Sequence, residues 1–328
     1  MIRRVPRGWL VAVFASVLLV SACSSVNAVN RPHNKAGGGK GGYKYKIAVV
    51  THGSQGDSFW SIVKSGSDQA GKDMGDTVTY ESSGDPNEQS QLIDAAVNTK
   101  PDGLVVSMAN PQGVRAAVQR AVAAGIPVIT INAGGAESKA YGALTHIGSD
   151  ETVAGQAIGT ALKEAGVKNV VCVVQEAGNV SLEQRCAGVK DKLGGKVTNL
   201  QVDNKNLPGA QQVIQAKLQQ DPSIDGVVTL GAQVATVAEE GISGAGSKAK
   251  LATFDLNADV AKAVLDGKIL FAVDQQPYLQ GYLAVVMLTQ YKSNLNVLGG
   301  GQQVLTGPTL ITKENAAAVL KLTAGGTR

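Results

Sequence analysis

The stretch GDSFWSIV, Gly56 to Val63, sets Asp57 beside the adjacent rings of Phe59 and Trp60 in a chain with only 4% aromatic residues. It follows an apolar, strand-like run, so it reads as a loop tip, a poor place for a core and a good place for a ligand platform. Other planar polar groups stand where apolar runs end: Asp255 after LATF, Asn132 after IPVITI and Gln275 after FAVD. Arg185 lies near an expected helix start, where the helix dipole disfavours a cation and a partner must explain it. Carboxylates, carboxamides and guanidinium groups hydrogen-bond adjacent hydroxyls in pairs, and rings cover flat C–H faces. Residues of these types could therefore hold a neutral, hydroxyl-rich molecule. A charged hydrogen bond of this kind contributes about 1.5–3 kcal/mol when buried.

Other chemistries find less support. The chain has no G-x-S-x-G elbow and no G-x-G-x-x-G following a strand. Its histidines, His33, His52 and His146, have no cysteine or carboxylate at metal-ligand spacing, so neither a metal nor a cofactor is expected. His52 could reach the mouth of a site from its loop, with no role assigned. A glycosidase would need two carboxylates in one cleft, and Asp57 with Asp255 could imitate such a pair.

The elements that must position these residues alternate. Short β-branched runs such as KYKIAVV (Lys44–Val50), DGLVVSM (Asp102–Met108) and IPVITIN (Ile126–Asn132) are separated by stretches with helical spacing. Two helix starts are written out by Asp85 with Pro86 and by Asn110 with Pro111. Asn110 is therefore both a capping residue and a site candidate. A second series runs from DETVAGQAIGTALKEAG (Asp150–Gly166) to KILFAVDQ (Lys268–Gln275). Two series of βα units predict an α/β fold of two doubly wound parallel sheets, with ligands outside the carboxyl ends of the strands.

AAGIPVITINAG (Ala123–Gly134), HIGSDETVAGQAIGTAL (His146–Leu162), RCAGVKDKL (Arg185–Leu193) and ATFDLNADVAKAVLDGKILFAVDQQPYLQGYLAV (Ala252–Val285) together resemble the ribose-binding type of periplasmic binding proteins, relatives of the lactose-repressor sensor domain. The resemblance covers about residues 46–307. It implies two lobes joined by a three-segment hinge, with crossings near Ile147–Ser149, Val273–Pro277 and Gly299–Thr306. Residues 45–147 plus 276–300 would form the N-terminal lobe, and 148–275 plus 301–328 the C-terminal lobe. It implies that Asp57, Phe59, Trp60, Asn110, Asn132, Arg185, Asp255 and Gln275 contact a sugar or polyol. It also implies delivery of that solute to ABC permease subunits by a monomer that is not an enzyme. A sensor module presenting ligand to a chemoreceptor or kinase is the alternative use. The sequence departs from the family at Asn132, where an aspartate is usual, and at Gly231, where Asn-Asp is frequent; Gln233 could substitute for the latter.

The N-terminus reads as an export signal. Arg3, Arg4 and Arg7 precede the apolar run Trp9–Val20, which is shorter than the roughly 20 residues of a spanning helix. LVSAC, Leu19 to Cys23, resembles a lipobox, implying cleavage after residue 22, acylation of Cys23 and anchoring to the outer face of the cell membrane. Loss of three arginines and no acid takes the net charge from +4 to +1, so no nucleic-acid partner is indicated. Residues 23–44, rich in glycine, read as a flexible tether. The two remaining cysteines, Cys172 and Cys186, are an even pair in an oxidising compartment, consistent with a disulfide or with two small buried side chains.

Overall fold

The computed structural model describes residues 42–54 and 56–328. The export signal, the acylation at Cys23 and nearly all of the tether lie outside them. Tyr43 and Lys44, expected at the end of the tether, instead donate backbone hydrogen bonds to Met74 and Gly75 (2.8 and 3.2 Å) and belong to the folded part.

The N-terminal lobe runs through β1 (Lys46–Thr51), α1 (Ser58–Met74), β2 (Thr77–Ser82), α2 (Pro86–Asn98), β3 (Gly103–Ser107), α3 (Pro111–Ala123), β4 (Val128–Ile131), α4 (Gly135–Ser138) and β5 (Thr145–Gly148). The C-terminal lobe follows with α5 (Glu151–Glu164), β6 (Asn169–Val174), α6 (Val180–Leu193), β7 (Lys196–Gln201), α7 (Leu207–Gln220), β8 (Gly226–Thr229), α8 (Ala232–Gly244), β9 (Lys250–Phe254), α9 (Ala258–Leu265) and β10 (Ile269–Asp274). The chain returns through α10 (Pro277–Asn294) and β11 (Val304–Leu305), then ends in β12 (Thr309–Ile311) and α11 (Ala316–Thr323). The sheets are ordered β2-β1-β3-β4-β5-β11 and β7-β6-β8-β9-β10-β12. Only β12 runs antiparallel to its neighbour. Central strands β3, β4 and β8 are buried along their whole length, as expected for sheets covered on both faces.

Each lobe has apolar layers above and below its sheet. Phe59, Trp60 and Val63 of α1 meet Ala284, Val285 and Leu288 of α10 on one face of the first sheet. Helices α5 and α6 approach so closely that a Cβ on Gly155 would sit 2.1 Å from the Arg185 carbonyl oxygen, and one on Gly188 2.4 Å from that of Thr152. The glycines in the GSDxxxxG and RxxG segments thus let two helices touch through their backbones. Cys172 of β6 and Cys186 of α6 are joined by a disulfide, with Cα atoms 5.9 Å apart. Closing that 14-residue separation restricts the unfolded chain by about 3 kcal/mol.

The lobes are linked at β5–α5, at β10–α10 and at β11–β12. The third crossing is later than expected. Residues 301–328 were assigned to the C-terminal lobe, yet Val304 and Leu305 pair with Ile147 and Gly148 of the first sheet. The chain changes lobe at Thr306–Pro308, where Gly307–Pro308 is cis. A two-residue strand carries no readable pattern, which is why the boundary was misplaced. The three crossings touch: Thr306 N–H donates to the Gly148 carbonyl (3.0 Å), and Gln280 donates to the Gln275 carbonyl and the Thr306 hydroxyl (3.2 Å each). Arg328 pairs with buried Asp274 beside them.

Candidate functional site

Between the lobes, a cleft with about 570 Å³ of empty space, its mouth included, is walled mainly by residues that follow β1, β4, β6, β7, β8, β9 and β10. All seven of these segments leave carboxyl ends of parallel strands, as the topology requires. Of the eight residues assigned to a ligand, seven line it: Asp57, Phe59, Trp60, Asn132, Arg185, Asp255 and Gln275. Asn110 does not. Its side chain accepts from Gly113 N–H (3.0 Å) as the cap of α3, and it lines a neighbouring cavity.

The polar wall of the C-terminal lobe is one connected network. Arg185 is 3% exposed and sits 4.4 Å above the Phe254 ring centroid. Its Nε–H donates to Glu151 Oε2 (2.5 Å) and its second terminal nitrogen to Gln275 Oε1 (2.8 Å). Gln275 in turn donates through Nε2 to Asp255 Oδ1 (2.5 Å). Arg185 is the sixth residue of α6, not at its start, and neither Glu183 nor Asp191 is its partner. The partner is Glu151, which opens α5 at the first crossing and is equally buried. Sequence reasoning missed Glu151 because only the α5–α6 packing brings it across. Gln275 uses both ends of its amide within the protein, so it orients Arg185 and Asp255 as much as it faces the cleft.

Asp255 and Asn132 occupy the same kind of position, just beyond strand ends, and both are left-handed (φ 67° and 62°). Asp and Asn tolerate this region better than other residues bearing a Cβ. Burial pushes the Asp255 carboxyl up to about 7, against the attraction of Arg185 and the Gln275 hydrogen bond. Asp57 caps α1, accepting from Phe59 N–H (2.9 Å). Burial raises its carboxyl to about 6; the Phe59 amide opposes this and Glu176 across the cleft adds to it.

These shifts carry a sign. A carboxyl whose folded pKa lies above its unfolded value binds protons more tightly when folded. Asp255 therefore contributes stability that is present in acid and lost as pH rises from its ordinary value of 3.8 through about 7. Asp255→Asn removes that loss. Denaturant titrations at matched pH should show the variant gaining on the parent across this window, and a flat difference would refute the assignment.

The rings deviate from the loop-platform expectation. Phe59 and Trp60 lie in the first turn of α1, are 7% and 6% exposed and belong to the core of the N-terminal lobe. They also face the cleft, packed edge-on with centroids 5.1 Å apart. The indole lies against Gly53, where a Cβ would come within 2.5 Å of it.

His52 follows β1 and is 4.6 Å, edge-on, from the indole. Its backbone N–H donates to Ser107 Oγ (2.8 Å), and Oγ lies 2.7 Å from Nδ1. Burial, with help from Arg185, lowers His52 to about 3, so the ring is neutral. Nε2 lies 4.0 Å from Glu176 Oε2 of the other lobe. Glu176 itself is held by Asn179 (2.7 Å) and Asn204 (3.0 Å). These three residues line the cleft and were not singled out in the sequence; a QEAGN loop between a strand and a helix gives no distinctive signal.

Two direct bonds also join the lobes. Gln233 donates to the Gly56 carbonyl (2.8 Å), and Val180 N–H to the Ala109 carbonyl (3.0 Å). Gln233 thus bridges the lobes at the edge of the cleft, and Gly231 leaves the floor beneath it open.

Comparisons with known proteins agree with this architecture. Residues 47–295 match the periplasmic binding protein domain. The chain is 26% identical to the D-apiose import binding protein of Paraburkholderia graminis, across 94% of this chain and 95% of that one. It is 25% identical to the ribose import binding protein of Bacillus subtilis, across 82% and 88%. A carbohydrate transporter from Acidothermus cellulolyticus, solved in complex with myo-inositol, is 44% identical, with a TM-score of 0.85 over 87% of this chain and all of that one. Two doubly wound lobes, a polar cleft at their strand ends and a match over most of the chain place this protein in the periplasmic binding protein family, whose members bind solutes between two lobes.

Proposed function

We propose that this protein is the extracytoplasmic binding subunit of an ABC importer and that its solute is a cyclitol of the myo-inositol type. The observation that carries the solute class is the 44% identical relative holding myo-inositol, in a chain that aligns over its entire length. The cleft is consistent with it. Asp57 and Asp255 approach from opposite lobes, Asn132 adds a carboxamide, and Phe59 with Trp60 add apolar ring surface to the wall. A ring bearing hydroxyls on every carbon satisfies groups on both walls at once, and so favours the closed arrangement of the lobes. The permease subunits then take the solute from the closed form. Acylation at Cys23 would keep the protein, working as a monomer, beside them; the LVSAC segment supports this. The sensor use has no separate support in the structure.

The test is a melting and calorimetric screen of myo-inositol, its stereoisomers, ribose, apiose and glucose on the form lacking residues 1–22. A ligand at about 100 times its Kd should stabilise by about 2.7 kcal/mol. A shift by pentoses and none by cyclitols would overturn the solute class. Labelled fatty acid retained by Cys23→Ser would overturn the anchor.

A further inference from the structure

The charge balance of the cleft is lopsided. Three acids face it, Asp57, Glu176 and Asp255, and one cation, Arg185. That cation is already committed to Glu151, Gln275 and the Leu230 carbonyl. Asp57 and Glu176 have no cationic partner among the described residues. The ring that approaches Glu176, His52, is neutral. The nearby Lys205 is exposed and lies outside this cleft. Polar groups without partners stand beside the acids: Ser181 Oγ and Gln175 Oε1 are buried and unsatisfied, on residues that are 2% and 8% exposed and line the same space.

We propose that Glu176, acting with Asp57 from the opposite lobe, sets the charge that a ligand can carry, so that the cleft accepts neutral and amine-bearing ring polyols and rejects phosphorylated or carboxylated ones. The inference rests on the cleft being the solute site and deepens that reading. An anion entering here loses its hydration and meets three acids and a single guanidinium, three of whose five N–H donors are already used within the protein. An ammonium group between Asp57 and Glu176 does the reverse: it ionises both acids, accepts none of their repulsion, and donates to both walls. Glu176 is a positioned group, since Asn179 and Asn204 fix both of its oxygens.

The experiment is calorimetric titration with two matched trios at about pH 7, above the Asp57 value of about 6. One trio is myo-inositol, an inosamine and inositol monophosphate. The other is glucose, glucosamine and glucose 6-phosphate. Within whichever trio binds, the amine should bind at least as tightly as the neutral member and the phosphate roughly 100-fold more weakly or not at all. In Glu176→Gln the amine should lose at least about tenfold more affinity than the neutral member does. A phosphate within about tenfold of its neutral parent overturns the proposal. So does a variant that weakens amine and neutral ligand equally. Binding confined to the glucose trio would sink the cyclitol reading while leaving the charge rule testable there. No binding by either trio sinks both. The comparison among ligands uses the unaltered protein, so it stands even if Glu176→Gln folds poorly.

Discussion

Arg185→Met should abolish solute binding and destabilise the protein by about 3–5 kcal/mol, the range for breaking a buried ion pair. The effect is large because Arg185 serves an acid, an amide and a carbonyl from one buried position. Without it, Glu151, its pKa already raised by burial, stands unpaired in the interior, one of its oxygens lacking a partner even in the parent. Asp255 loses the attraction that opposes its burial, and Gln275 loses the donor that fixes its amide. Urea denaturation and calorimetry measure the two losses separately. Glu151→Leu combined with Arg185→Met should recover most of the stability, since an apolar pair can replace a buried ionic one, and none of the binding. Binding by Arg185→Met within about threefold of the parent would show that the guanidinium is structural only.

Trp60→Ala should be the second largest change, and it should act twice. From the sequence, the ring was expected to stack on ligand from a loop, so its removal would leave the fold intact. The structure places it 6% exposed in the N-terminal core, against Gly53, Phe59 and His52. Truncation should therefore destabilise by about 3–5 kcal/mol, as for other buried large-to-alanine changes. It should also weaken solute binding by roughly tenfold or more, as loss of a central aromatic does. Trp60→Phe separates the two, because it retains most of the packing. In the form lacking residues 1–22, Trp60 is the only tryptophan, so its emission should change when solute binds. Unchanged affinity in both variants would make the ring core and nothing more.

Much of the architecture was legible in the chain because its signals are local. Apolar β-branched runs, proline after an Asp or Asn cap, and glycine at helix stops need no tertiary partner to be recognised. The strand ends followed, and with them Asn132, Asp255 and Gln275 just beyond β4, β9 and β10, which line the cleft. The helix that begins at Ala232 and the strands β11 and β12 were not legible. The helix opens without a side-chain cap, and the strands are two and three residues long. Asn110 was ambiguous because capping and ligand contact ask for the same side chain, and only the Gly113 hydrogen bond separates the two.

By itself the sequence determined that this protein has two α/β lobes and which strand ends carry acids and amides. It could do so because helix caps, strand runs and glycine positions are short-range properties of the chain. Tertiary structure alone decided the pairings: Glu151 with Arg185 across 34 positions, His52 facing Glu176, Gln233 reaching Gly56 across 177. Those contacts depend on how α5 packs on α6 and how one lobe meets the other. Neither distance along the chain nor residue type encodes that meeting, and the charge of the cleft follows from it.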